Sequence, residues 1–353
     1  MAPATVSDFD WDRHEQNWNA WWASELRRPL VMIEQPVRFR DPRELTREFL
    51  LETPIEQVLT YFDNRLANTR YHGDAWPKWF PFFGAGIVAG FLGAEVHFAP
   101  LTETIWFEPS APAAIRDLRP ALDPDNPWWQ RVQALTRAAV AHWGNRVVVA
   151  HTDLGGNCDI LASLLTTQQL LFDLYDAPTE VARLTAELTR LWLDCYDRLH
   201  GLIAAAGRGT SPWAAIWSPG RCYMLQSDFS YMISPEMFEQ FVLPDLAACC
   251  DRLDHAFFHM DGKGQIRHLE MLLSLERLRG IQWIPGDGQP PPEEWLPLLK
   301  RIRDGGKLCQ LYVSAAGALK ITRELGGQGF AFYINDTLSP NEADDLLRTL
   351  AEL

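Results

Sequence analysis

"HAFFHMDGKG", residues 255–264, carries an apolar run directly into two polar side chains and a pair of glycines. The polar residues are His259 and Asp261, and the glycines are Gly262 and Gly264. Side chains two positions apart on a strand point to the same side. His259 and Asp261 should therefore project together from the end of a buried strand, where polar groups need partners. Three readings of the pair are open on residues alone. It can hold a divalent metal through imidazole nitrogen and carboxylate oxygen. Asp261 can instead orient His259 for general acid–base work, or His259 can bond a backbone carbonyl while Asp261 caps the next helix.

Working outward, the same kind of run recurs. "PLVMIEQ" (29–35), "AEVHF" (94–98), "RVVVAH" (146–151), "RCYMLQ" (221–226), "RGIQW" (279–283), "KLCQLYV" (307–313) and "GFAFYI" (329–334) all read as strands. Helical patterns follow most of them, two opening on Ser-Pro, at Ser234 and Ser339, as an N-cap followed by proline. Continuous apolar strands alternating with helices imply a parallel sheet buried on both faces. Eight strands predict an α/β fold, a single (β/α)8 TIM-type barrel over residues 1–353, with an open doubly wound sheet as the alternative. Residues 1–28 form an N-terminal helical extension packing on it, with Trp11, Trp18 and Trp22 on one stripe and Trp21 beside it. That stripe grips the core or a partner subunit, and a homodimer is one expectation.

Composition narrows the function. The 353 residues are 47% hydrophobic and 22% charged, with a formal net charge of −14, which disfavours nucleic acid and acidic membranes as partners. No apolar run reaches the roughly 18 residues that span a bilayer, and the N-terminus reads as polar rather than as a signal peptide. Six scattered cysteines fit a reduced, cytoplasmic protein, with Cys222 and Cys309 inside apolar runs as core residues. In a barrel the chemistry gathers at the C-terminal strand ends. Those ends carry "HTDLGGNCD" after the 146–151 run, then "QSD", "HMDG", "QWIPGDG" and "NDT". Asp336 is the expected third metal ligand, and Asp228 a catalytic partner of His259 and Asp261. Asp153, Gln282, Trp283, Tyr312 and Asn335 are the expected substrate contacts. Gly155 and Gly156 before Asn157 also allow a helix start facing an anion. His151 and His268 can be read either way.

"LGGNCDILASLLTTQQLLFDLYDAPTEVARL" (154–184), "SDFSYMISPEMFEQFVLPDL" (227–246), "FFHMDGKGQIRHLEMLL" (257–273), "GIQWIPGDGQ" (280–289) and "FAFYINDTLSPNEADDLL" (330–347) resemble, in order, blocks of the uroporphyrinogen decarboxylase superfamily. The resemblance covers about residues 20–350 and implies a (β/α)8 barrel. It also implies one of two activities, porphyrinogen decarboxylation or methyl transfer between corrinoid proteins and small acceptors. The decarboxylase branch grips its substrate with an arginine-rich block. Here that place offers only Arg38 and Arg40, and Gly84 or a close neighbour stands where the catalytic aspartate belongs. The methyltransferase branch binds zinc through an HxC pair and a late cysteine. His259–Asp261 and Asn335–Asp336 take those places, so oxygen or amide donors replace both thiolates. The expectation is a methyltransferase-like enzyme with a divalent metal, zinc or another. It would act on a small polar substrate, with a methyl-corrinoid protein as a possible donor. A metal-free decarboxylase and a non-catalytic binding barrel are the alternatives.

Overall fold

The computed structural model describes residues 4–36, 41–99 and 104–353. Its strands are β1 (Leu30–Gln35), β2 (Arg70–Gly73), β3 (Lys78–Trp79), β4 (Glu95–Ala99), β5 (Thr104–Glu108), β6 (Val148–Val149), β7 (Cys222–Gln226), β8 (His255–Asp261), β9 (Leu278–Ile284), β10 (Leu308–Val313) and β11 (Phe330–Ile334). Seven of them form one sheet in the order β2-β1-β11-β10-β9-β8-β7. Every neighbouring pair in it is parallel except β1 with β2. The helices between these strands make the crossovers that parallel pairing requires.

The sheet departs from the expected eightfold ladder in three ways. Among the described residues the ladders end at β2 and β7, so the architecture is mixed α/β with a mostly parallel central sheet. The 94–98 run does not join that sheet. It pairs antiparallel with β5, whose alternating exposure marks a ribbon with one solvated face. The 146–151 run contributes only β6, paired with β3. An apolar run announces a strand, but its partner lies far away in sequence and cannot be read from the run.

Alternate residues of β1, β7, β8, β10 and β11 enter two separate cores, which is why those runs read as continuously apolar. Val31 and Ile33 of β1, Ala256, Phe258 and Met260 of β8, and Cys309 and Leu311 of β10 pack in the larger core, with the helices. Leu30, Met32, Met224, Phe257, Leu308 and Ala331 pack in a second core on the opposite face. Trp18, Trp21 and Trp22 of the helix Trp11–Trp22 complete that second core. Their indole N–H groups donate to the carbonyls of Asp74, Phe330 and Trp217. Trp22 also stacks on His255 at 4.1 Å. Phe330 and His255 open β11 and β8, so this helix covers the N-terminal ends of the strands. Trp18 and Trp21 are fully buried within their own chain. These two rings grip the core of their own chain and offer no surface to a partner subunit.

Asp74 ties the helix to the sheet. Its buried carboxylate accepts from both Arg28 Nη atoms at 2.7 and 2.9 Å, from Val31 N at 2.9 Å and from Asn17 Nδ2 at 2.9 Å. Gly73, at φ +64, makes the turn possible, since a Cβ there would lie 2.3 Å from Val31 O. Removing one partner of a buried ion pair strands the other charge and its donors. Asp74→Ala should therefore cost about 3–5 kcal/mol of unfolding free energy in urea titration. A loss below about 1 kcal/mol would show that the clamp is dispensable.

Candidate active site

Parallel registry sets polar side chains in a row across four strands. Gln226 of β7 stands beside His259 of β8, His259 beside Gln282 of β9, and Gln282 beside Gln310 of β10. The row one pleat toward the N-termini is apolar: Met224, Phe257, Gly280 and Leu308. A Cβ on Gly280 would meet the Phe257 ring at 2.1 Å, so only glycine fits there. The polar row lies one step from the C-terminal strand ends, where the chemistry of parallel sheets collects.

His259 is oriented by this row. Its Nδ1 donates to Gln282 Oε1, and Gln282 Nε2 donates to Gln310 Oε1. With the proton on Nδ1, Nε2 carries a lone pair, as in metal-binding histidines held by an outer partner. Nε2 lies 3.8 Å from Asp261 Oδ2, outside direct hydrogen-bonding range. Asp228 completes the group: one ligand atom from each of Asp228, His259 and Asp261 lies within 4.8 Å of the others. His259 is mostly covered, whereas Asp228 and Asp261 reach solvent. The two acids also line a cavity of about 320 Å³ with Tyr231, Lys263, Asp287 and Gln289.

Asp228 is held in place from below. Asp159, in the first turn of the helix Asn157–Leu165, accepts from Asp228 N at 3.1 Å and Phe229 N at 2.7 Å. Burial, then the negative charge of Asp228, raises the Asp159 carboxyl to about 7. Asp153 also rises to about 7, through burial and the charges of Asp228 and Asp159, against the hydrogen bond from Gly155 N. Asp228 itself rises to about 6, as neighbouring atoms crowd its carboxylate and Asp261 adds like charge. Burial lowers His259 below its usual value, opposed by the Gln282 hydrogen bond and the Asp261 charge. Crowded acids with raised pKa values around a neutral imidazole are the charge pattern that a cation would relieve.

The structure redistributes the expected roles. Asp336 is not part of the metal-capable group. Its carboxylate accepts from Ala315 N at 2.6 Å, at the start of the helix Ala315–Leu325, and Asp228 supplies the second acid instead. Trp283 does not wall a cleft: it is fully buried in the larger core against Trp295, because it sits one residue out of phase with Gln282. Gln282 touches His259 rather than open space. Asn335 is exposed and continues the sheet through its backbone N–H to Val313 O at 3.0 Å. Asp153 is buried beneath the site. Tyr312 lines a second cavity, and its hydroxyl bonds the Gln282 side chain and the Ala215 backbone while burial pushes it up to about 12. Gly155 and Gly156 allow backbones to pass closely. A Cβ on Gly156 would sit 2.1 Å from Gln226 O, and one on Gly155 2.7 Å from Gly86 Cα. Asp159 in that first turn further disfavours an anion. His268 is a structural histidine bonded to Ser230 O at 2.9 Å, and His151 is buried against Tyr196. Arg38 and Arg40 lie outside the described residues.

Gln226, Gln310, Asp159 and Trp213 were not singled out from sequence. A usable signal existed for Gln310, which stands alone within an apolar strand run, as Gln282 does. No comparable signal marks Trp213, whose ring meets His259 edge-on at 5.1 Å.

The fold is shared with a solved structure of a methyltransferase from Methanosarcina mazei. The TM-score is 0.60 at 10% sequence identity, covering 96% of this chain and 98% of that one. No family model matches the chain, and no curated protein matches it in sequence. Among the described residues no helix is long and apolar enough to cross a membrane.

The imidazole environment is directly measurable. In chelator-treated protein the His259 ring resonances should titrate below the ordinary midpoint of about 6.5. Asp261→Asn removes a charge that favours imidazolium and should move that midpoint lower still. A midpoint raised by Asp261→Asn would contradict the geometry.

Proposed function

We propose that the chain is a methyltransferase-like enzyme, built as one (β/α)8-type domain of the uroporphyrinogen decarboxylase superfamily. Its site takes a divalent cation at Asp228, His259 and Asp261, and it acts on a small polar substrate, with a methyl-corrinoid protein as the donor. The observation that carries this reading is the triad itself: an imidazole with its lone pair directed by Gln282, next to two carboxylates at a cavity mouth. The ordered sequence blocks and the methyltransferase fold likeness support it.

The donor set fits a metal. One nitrogen and two carboxylates form a harder site than one with thiolates, suited to zinc, manganese or ferrous iron. When bound, such a cation supplies Lewis acidity that lowers the pKa of an acceptor group. The chain's own residues do the rest. Gln282 and Gln310 fix the His259 ring, Asp159 fixes the turn bearing Asp228, and Tyr231 and Lys263 border the substrate space. Burial and mutual repulsion raise the carboxyls of Asp153, Asp159 and Asp228 together, so the acids around the site share a charge that a cation would relieve.

The decarboxylase alternative has less support. A porphyrinogen carries many carboxylates, and the second cavity, which has Arg65 and Lys78 in its wall, also contains Glu34 and Glu44. Arg65 already pairs with Glu44, and Lys78 Nζ donates to Ala214 O at 2.8 Å.

Elemental analysis of protein purified without chelator tests the reading. Wild type and Asp336→Asn should each retain about one divalent metal per chain. His259→Ala, Asp261→Asn and Asp228→Asn should lose it, and Gln282→Leu should weaken metal affinity by about 10–100-fold. Equal metal content in all five variants and wild type would overturn the assignment, and no metal in any of them would favour a metal-free binding protein.

A further inference from the structure

A second cavity, of about 300 Å³, lies on the same face of the sheet as His259 and Asp261, and the register places it. Tyr312 of β10 pairs with Tyr333 of β11, and Tyr333 with Met32 of β1; all three line the cavity. Tyr312 stands two residues beyond Gln310, as Asp261 stands two beyond His259, so both belong to the row above the polar one. Two strand spacings, about 10 Å, separate their backbones. Eight of the fifteen described residues in the cavity wall are aromatic. Six of these form three steeply crossed pairs: Phe62 with Trp79 at 5.6 Å and 62°, Phe80 with Phe82 at 5.8 Å and 66°, and Tyr312 with Tyr333 at 5.4 Å and 70°. The charges in the wall balance. Glu34 and Glu44 stand against Arg65 and Lys78, with Arg65 paired to Glu44 and Lys78 Nζ donating to Ala214 O at 2.8 Å.

We propose that this cavity binds an uncharged aromatic ring carried by a small ligand. A planar guest in the corner between two crossed rings lies parallel to one and edge-on to the other, the two arrangements that aromatic pairs favour. A saturated guest gains contact area there but neither arrangement. An ion of either sign meets two acids set against two bases, so it loses hydration without gaining a net opposite charge. An apolar void of about 150 Å³ already holds benzene, so this cavity has room for a single substituted ring. Only the assignment of that ring to the substrate, with its reacting group turned towards Asp261, rests on the preceding reading.

The test titrates the full chain, as purified, with benzyl alcohol, its saturated analogue cyclohexylmethanol and the N-methylpyridinium cation, followed by calorimetry. Benzyl alcohol should bind about 2–10-fold tighter than cyclohexylmethanol, although burial of hydrocarbon alone predicts the reverse order. It should bind at least about tenfold tighter than N-methylpyridinium. Phe80→Leu should reduce the preference for the aromatic alcohol, and Ala215→Phe, which fills the cavity, should abolish its binding; each variant covers for the other should one fail to fold. Equal or reversed affinities, no binding of benzyl alcohol, or wild-type behaviour in both variants would overturn the proposal. Asp261→Asn separates the two readings, since ring binding should persist in it while metal is lost. Metal retained there with the ring preference intact would sink the metal reading alone, and metal lost there with no ring preference in wild type would sink this inference alone.

Discussion

A neutral imidazole inside a sheet is aligned only if its second nitrogen has a partner, and here the parallel register supplies one. Gln282 lies beside His259 because β8 and β9 run in the same direction with those residues opposite each other. Gln310, one strand further, holds the Gln282 amide in the orientation that accepts from Nδ1. A slip of one residue would replace Gln282 with Ile281 or Trp283 and leave Nδ1 facing a hydrocarbon. The direction of the Nε2 lone pair, and with it every role assigned to Asp228 and Asp261, follows from that registration.

The two ends of the strands do different work. At the N-terminal ends, three tryptophans and the Asp74 carboxylate bond backbone groups from distant segments and close the second core. These contacts satisfy buried donors and add large apolar area, and so stabilise the fold. At the C-terminal ends the inner face becomes polar, the acids crowd together, and two cavities open. Crowding carboxylates raises their pKa values and costs stability at neutral pH. The rigid opposite end offsets that cost, as structures with strained functional sites generally require.

The broad α/β class and the grouping of the candidate triad were legible in the chain. Apolar runs with interposed helices indicated a parallel sheet, and β1 and β7 to β11 occupy the expected runs. "HMDG" marked a strand end, and His259, Asp261 and Asp228 do come together. The 94–98 run misled because a strand in a peripheral hairpin and one in the main sheet have the same local composition. Trp283 misled because a polar–aromatic "QW" pair at a strand end does not say which member faces inward.

Local composition sets the elements: which segments are apolar enough to be strands, where Ser-Pro pairs open helices, and which short motifs carry ligand-type side chains. These are local properties, governed by period, capping and backbone freedom within a few residues. Tertiary structure alone decided that Asp228 rather than Asp336 joins His259, that Gln282 serves the imidazole, and that the Trp213 ring packs against His259. Each of those facts depends on pairings between residues tens of positions apart. Only the folded packing chooses among the many partners that local chemistry would accept.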